Sequence, residues 1–189
     1  MDFWTLENPE SSEFKVAGSK FLSFSFPIES EESAKTFVKE FKNKYHDATH
    51  VCYAYAIGKH EILKAHDDGE PSYTAGSPIL NSIKSEILTQ VLLIVVRYFG
   101  GTKLGKSGLI QAYKNAAISC LEKSKKLPYL PKTILSLTIN YGYLNSVLNI
   151  LRLNDCKIIE KKIENECTIV FEAEIEKEKS IKSLLEQYQ

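Results

Sequence analysis

The sequence predicts a mixed α+β protein in two domains, and three observations carry that reading. Apolar residues recur with a period of two in some stretches and at helical spacing in others. Residues 91–96 (VLLIVV) are apolar on both faces and largely β-branched, which suits a strand covered on both sides of its sheet. Residues 125–131 (KKLPYLP) hold two prolines and no core periodicity, which places a boundary there and predicts domains of residues 1–127 and 128–189.

Taken in order, residues 20–28 (KFLSFSFPI) alternate as a half-buried strand does, but Phe21, Phe24 and Phe26 do not fall on one face, so a bulge or an end effect is expected. Residues 29–45 read as a helix, with Ser30 near its cap, acids first, basics last, and Ala34, Phe37, Val38 and Phe41 as its apolar stripe. A second strand covers 50–57, and a short one follows at 62–65. Residues 78–88 fit a helix with Pro78 near its first position. The strand at 91–96 then feeds a glycine-rich turn and a helix from Ser107 to about Ser124. Beyond the prolines come a strand at 132–140, a helix at 143–153, strands at 156–163 and 166–175 around a Glu164-Asn165 turn, and a closing helix at 177–188.

Composition narrows the function classes. With 43% hydrophobic and 25% charged residues, the chain belongs with globular proteins rather than disordered ones. No apolar run approaches the ~20 residues of a membrane span. The opening MDFWTLENPESSEF is acidic and lacks a secretory pattern, so the expected address is the cytoplasm. Cys52, Cys120, Cys156 and Cys167 lie far apart without a C-x-x-C pair, and are expected to be reduced and packed. Pairing one of them with His50 or His66 as a catalytic couple is not something spacing can establish. A net charge of zero argues against a generally basic nucleic-acid binder. Locally, however, residues 97–126 hold seven basic residues against the single acid Glu122. That segment is either a solvated helix face or an anion-binding surface.

Gly100, Gly105, Lys106 and Ser107 satisfy G-x-x-x-x-G-K-[ST], the phosphate-cradling loop of nucleotidases. The context fails. Only about 80 residues follow, too few for the rest of a parallel sheet in an ordinary domain of ~100–150 residues, and 150–155 (ILRLND) reads as a helix end rather than a magnesium-holding strand.

A second stretch gives the loop its better reading. His66-Asp67-Asp68-Gly69-Glu70-Pro71-Ser72, then Thr74-Ala75-Gly76 and Pro78, precede Arg97-Tyr98-Phe99-Gly100-Gly101-Thr102-Lys103-Leu104-Gly105 and Gly108-Leu109. Together with Ala48-Thr49-His50, Cys52-Tyr53-Ala54-Tyr55 and Ile57-Gly58, this pattern resembles the YigZ/IMPACT family, strongly over residues 15–117 and in the bacterial two-domain layout beyond. Tyr73 stands where a small residue is common in that family, and Lys106-Ser107 add a charge and a hydroxyl where the family loop is usually glycine-rich. The resemblance implies a first domain like domain IV of elongation factor G. It implies a second, ferredoxin-like domain similar to its domain V, in keeping with the β-α-β-β-α order after residue 131. Eukaryotic IMPACT relatives restrain a starvation-sensing kinase that acts on translation initiation, whereas bacterial-type relatives have no settled biochemical role.

The function expected is a non-catalytic binding protein that touches RNA or the ribosome, and so a regulator of translation. Arg97, Lys103, Lys106 and the amides of Gly100, Gly101 and Thr102 would hold phosphates, and Tyr98 and Phe99 would stack on bases unless they pack in the core. Asp67, Asp68 and Glu70 could hold magnesium through carboxylate oxygens. The stronger reading has them cap backbone N–H groups or pair with Arg97 and Lys103, with Thr74 and Ser77 as further caps. The alternatives are a metal-dependent enzyme acting on a phosphorylated substrate, or a protein-docking module.

Overall fold

The computed structural model describes residues 2–164 and 166–188. The chain divides into two compact units, Met1–Tyr129 and Leu130–Gln189. Both mix helices with antiparallel strands.

The first unit runs β1 (Trp4–Leu6), β2 (Glu10–Val16), β3 (Ser19–Pro27), α1 (Glu31–Lys44), β4 (His50–Ile57), β5 (Ile62–His66), α2 (Gly76–Ser85), β6 (Val91–Tyr98), α3 (Gly105–Leu121) and β7 (Lys126–Pro128). Five strands form one sheet in the order β2-β3-β6-β4-β5, every ladder antiparallel. Helix α1 joins β3 to β4 across β6, and α2 joins β5 to β6 across β4, so two split β-α-β units interleave. β1 pairs with β7, which ties residues 126–128 to the first unit.

β6 explains the layering. Its Leu92, Ile94 and Val96 enter the core beneath Ala34, Val38 and Phe41 of α1, while Val91, Leu93 and Val95 enter the core beneath α2 and α3. A strand with helices on both faces has no polar side, as its sequence required. The same logic corrects the expectation for β3. No bulge is present, because its ladder with β6 runs unbroken from Lys20 to Pro27. Phe21 faces α3, and Phe24 and Phe26 face α1, where they meet Phe41 and Phe37 at ring-centroid distances of 4.8 and 4.6 Å. Helix α1 begins at Ser30, whose hydroxyl accepts from Ser33 N while Ser33 Oγ accepts from Ser30 N, a reciprocal cap.

The second unit contains β8 (Lys132–Ile139), α4 (Leu144–Leu153), β9 (Lys157–Ile163), β10 (Cys167–Glu174) and α5 (Glu178–Leu185). Its antiparallel sheet has the order β8-β10-β9. Cys167, Ile169, Phe171 and Ala173 of β10 pack with Leu137, Ile139, Val147, Leu151, Ile181 and Leu185. Asn165, half of the expected turn, lies outside the described residues. Among the described residues no helix is long and apolar enough to cross a membrane.

Candidate functional site

The site forms where the loop between β5 and α2 meets the loop between β6 and α3. Period-two alternation puts Arg97 on the same face of β6 as Val91, Leu93 and Val95. Its side chain therefore enters the α2–α3 side, where the residue is 5% exposed. Arg97 NH1 donates to Glu70 Oε1 at 2.5 Å, and the Tyr113 hydroxyl of α3 donates to the same oxygen at 2.8 Å. His50, the strand residue paired with Arg97, brings its Nε2 to 3.9 Å from Glu70 Oε1. The guanidinium also lies over the Phe21 and Phe99 rings, at 5.6 and 5.7 Å. Arg97 Nε is buried without a hydrogen-bond partner among the described residues.

This corrects the expectation that Arg97 holds phosphate. A buried guanidinium paired to a buried carboxylate is a structural ion pair, and its removal would leave a charge uncompensated. Tyr98 turns to the α1 side of the sheet, where its hydroxyl donates to Asp47 Oδ1 at 3.0 Å.

The three acids of the first loop are each bonded locally. Asp67 Oδ1 accepts from Ala75 N at 2.9 Å and Gly76 N at 2.8 Å, and Oδ2 accepts from Tyr73 N at 2.9 Å. It thereby caps α2, whose own N-cap residue, Ala75, has no side chain to do so. Thr74, a predicted cap, instead donates its hydroxyl back to Pro71 O at 2.6 Å. Asp68 accepts from Val51 N at 2.7 Å and Lys42 Nζ at 2.5 Å. Burial alone would raise the Asp68 carboxyl, but Lys42 and the Val51 N–H outweigh it and hold it below the usual carboxylate range. The backbone oxygen of Asp68 meets His50 Nδ1 at 2.8 Å, and its N–H donates to His66 Nδ1 at 3.1 Å. Gly69 turns at φ +88° and Ser72 is exposed. Among the described residues no group of three or more His, Cys, Asp or Glu is disposed to hold a metal ion. Each carboxylate faces a different partner, so the three do not converge on one point.

Cys52 lies beneath this network, its Sγ 3.0 Å from Asp67 O and 3.3 Å from the Tyr113 hydroxyl. Burial pushes its thiol well up, and Tyr113 likewise. Burial therefore favours the neutral thiol of Cys52 and the neutral phenol of Tyr113.

The second loop is arranged differently. Gly100 N donates to Ser19 Oγ at 3.2 Å, and a Cβ on Gly100 would collide with the backbone carbonyl of Gly18, so no side chain is tolerated. Phe99 N donates to Thr49 Oγ1 at 3.0 Å, which leaves the ring 46% exposed. Gly101, Thr102, Lys103 and Lys106 are exposed, and the first turn of α3 has no side-chain cap. Among the described residues neither Lys103 nor Lys106 has an acidic partner; the expected pairing of the acidic loop with Lys103 is not formed, and Arg97 takes it. A cleft of about 370 Å³ is lined by His50, Glu70, Arg97, Phe99, Lys103 and Lys106 among others. His50, Tyr113 and Lys42 are residues that reading the sequence missed as part of this site. The signal for His50 was its place at the start of β4, opposite the end of β6.

The Impact N-terminal domain family matches residues 17–121, which hold every side chain of this site. The IMPACT family member YvyE of Bacillus subtilis (strain 168) is 32% identical over 179 residues, 94% of this chain and 82% of that protein. The IMPACT family member YigZ of Escherichia coli (strain K12) is 32% identical over 148 residues, 77% and 72% of the two chains. A crystal structure of a hypothetical protein, 27% identical, superposes with a TM-score of 0.80 over 97% of this chain and 91% of that one.

Proposed function

The chain belongs to the IMPACT family, and we propose that it is a non-catalytic binding protein of the translation apparatus that grips RNA phosphates with its β6–α3 loop. Lys103, Lys106 and the amides opening α3 supply the grip. The exposed face of Phe99 supplies a surface on which a base stacks. One observation carries this reading: the loop's two lysines stay unpaired beside three acids, because each acid already has other partners. The translational and cytoplasmic setting is taken from the family resemblance. In the same reading the first unit corresponds to domain IV of elongation factor G and the second to its domain V. The order β8-β10-β9 supports a ferredoxin-like second unit.

The test is fluorescence anisotropy of the full chain with a labelled single-stranded RNA across a salt series. Replacing Lys103 and Lys106 with alanine should weaken binding and lower the log–log salt slope by about 1.4, or ~0.7 for each phosphate no longer held. Stability should stay within about 0.5 kcal/mol of the parent, as for surface changes generally. An unchanged affinity and slope would remove the proposal. Arg97→Ala is the wrong probe, because it breaks a buried pair.

A further inference from the structure

The face of the sheet beneath α1 is only half covered. Phe37 and Phe41 of α1 pack on Phe24 and Phe26 of β3, which leaves the β4–β5 side open as a trough of about 580 Å³. On one wall, Lys35, Lys39 and Lys42 recur at i, i+4 and i+7, a single helix face about 10 Å long at 1.5 Å per residue. On the sheet, Lys64 pairs with Tyr55 and His66 with Tyr53 across the β4–β5 ladder. Three rings run parallel there. Tyr53 and Tyr55 are 6.5 Å apart at 10°, and Tyr53 and His66 are 5.1 Å apart at 8°.

Cations outnumber acids on this surface. Four lysines line the trough against Glu31, which accepts the Tyr55 hydroxyl at 2.5 Å and keeps its charge, and Asp68 beside it is bonded to Lys42. Lys35, Lys39 and Lys64 remain exposed and, among the described residues, without an acidic partner. The stack ends at the exposed His66, and a ring there beside unpaired cations complements a flat base joined to anions. An acidic peptide would use the cations but has no counterpart for the rings.

We propose that this trough and the His66 ring beside it form a second nucleic-acid site, which takes single-stranded nucleic acid with a base stacked on His66 and phosphates along Lys35, Lys39 and Lys64. It shares no residue with the cleft of the β6–α3 loop and does not depend on the reading given to that loop.

The experiment uses the full chain carrying Lys103→Ala and Lys106→Ala, so that the loop is silent, and a labelled ten-nucleotide oligouridylate in a salt series. Residual binding is expected. Adding Lys35→Ala, Lys39→Ala and Lys64→Ala should weaken it at least 10-fold at low salt and lower the log–log slope by about 2, at ~0.7 for each phosphate released. The three are exposed, so thermal melting should be unchanged. Oligouridylate should shift the His66 ring protons in NMR spectra, and His66→Ala should weaken binding about 5-fold or more. The proposal is overturned if the loop-silent chain does not bind, if the three alanines leave affinity and slope unchanged, or if His66 does not respond. It is equally overturned if oligoglutamate binds as tightly as oligouridylate, which would make the site one for acidic peptides, or if uridine monophosphate does, which would make it one for free nucleotides.

Discussion

In the β5–α2 loop, Asp67, Asp68 and Glu70 are each bonded inward, to three backbone N–H groups, to Lys42 and Val51, and to Arg97 and Tyr113. In the neighbouring β6–α3 loop, Lys103 and Lys106 have no such partners among the described residues and stand in solvent. The difference follows from reach. A short carboxylate beside a turn lies within bonding distance of backbone N–H groups that must be satisfied. A lysine carries its charge at the end of a four-carbon stem and gains nothing by turning inward. Opposite charges in adjacent loops therefore do not make a salt-bridged lid; one loop is bonded inward and the other stands in solvent.

The sharpest way to break this contrast is Glu70→Ala. It strands Arg97 in the core and should cost about 3–5 kcal/mol, as loss of one partner of a buried pair does. Chemical denaturation followed by circular dichroism reads it, and a loss below about 1 kcal/mol would return Glu70 to the candidate ligands. Asp67→Ala should cost about 1–2 kcal/mol by uncapping α2, measured the same way. Asp68→Asn should be mildest, below about 1 kcal/mol at neutral pH, since the pair with Lys42 is partly solvated. Because the folded carboxyl of Asp68 is held below its unfolded value, its contribution is present above about pH 4 and is lost as pH falls through the folded pKa. The gap between parent and variant should close in acid; a constant gap from pH 7 to pH 2 would mean that the carboxylate charge does no stabilising.

Much of the first unit is legible in the sequence because its periods are strong. β4 occupies the predicted residues, and α1 starts at the predicted Ser30. β1 and β2 carry no such signal. ESSEFKV is mostly polar, and it becomes a strand through pairing with β3 and through Phe14 and Val16 packing on the core beneath α3. The site is legible as a pair of loops but not residue by residue. Arg97, at the end of a strand and before a glycine turn, has the look of a surface cation, although alternation along β6 puts it on the side of Leu93 and Val95, which α3 covers. What spacing could not show is that Glu70, 27 residues earlier, would be there to receive it.

The contact of Gly100 with Gly18 has one more consequence, for the entropy of recognition. The turn between β2 and β3 presses on the loop at its origin, so the slack lies in the stretch from Gly101 to the start of α3. Ordering a backbone residue costs about 1–2 kcal/mol. Under the function proposed above, a ligand on Lys103 and Lys106 has only that short span to immobilise, which keeps the ordering cost small. On that reading, a substitution at Gly18, whose added Cβ would press on the Gly100 carbonyl, should weaken binding from outside the site by raising the ordering penalty.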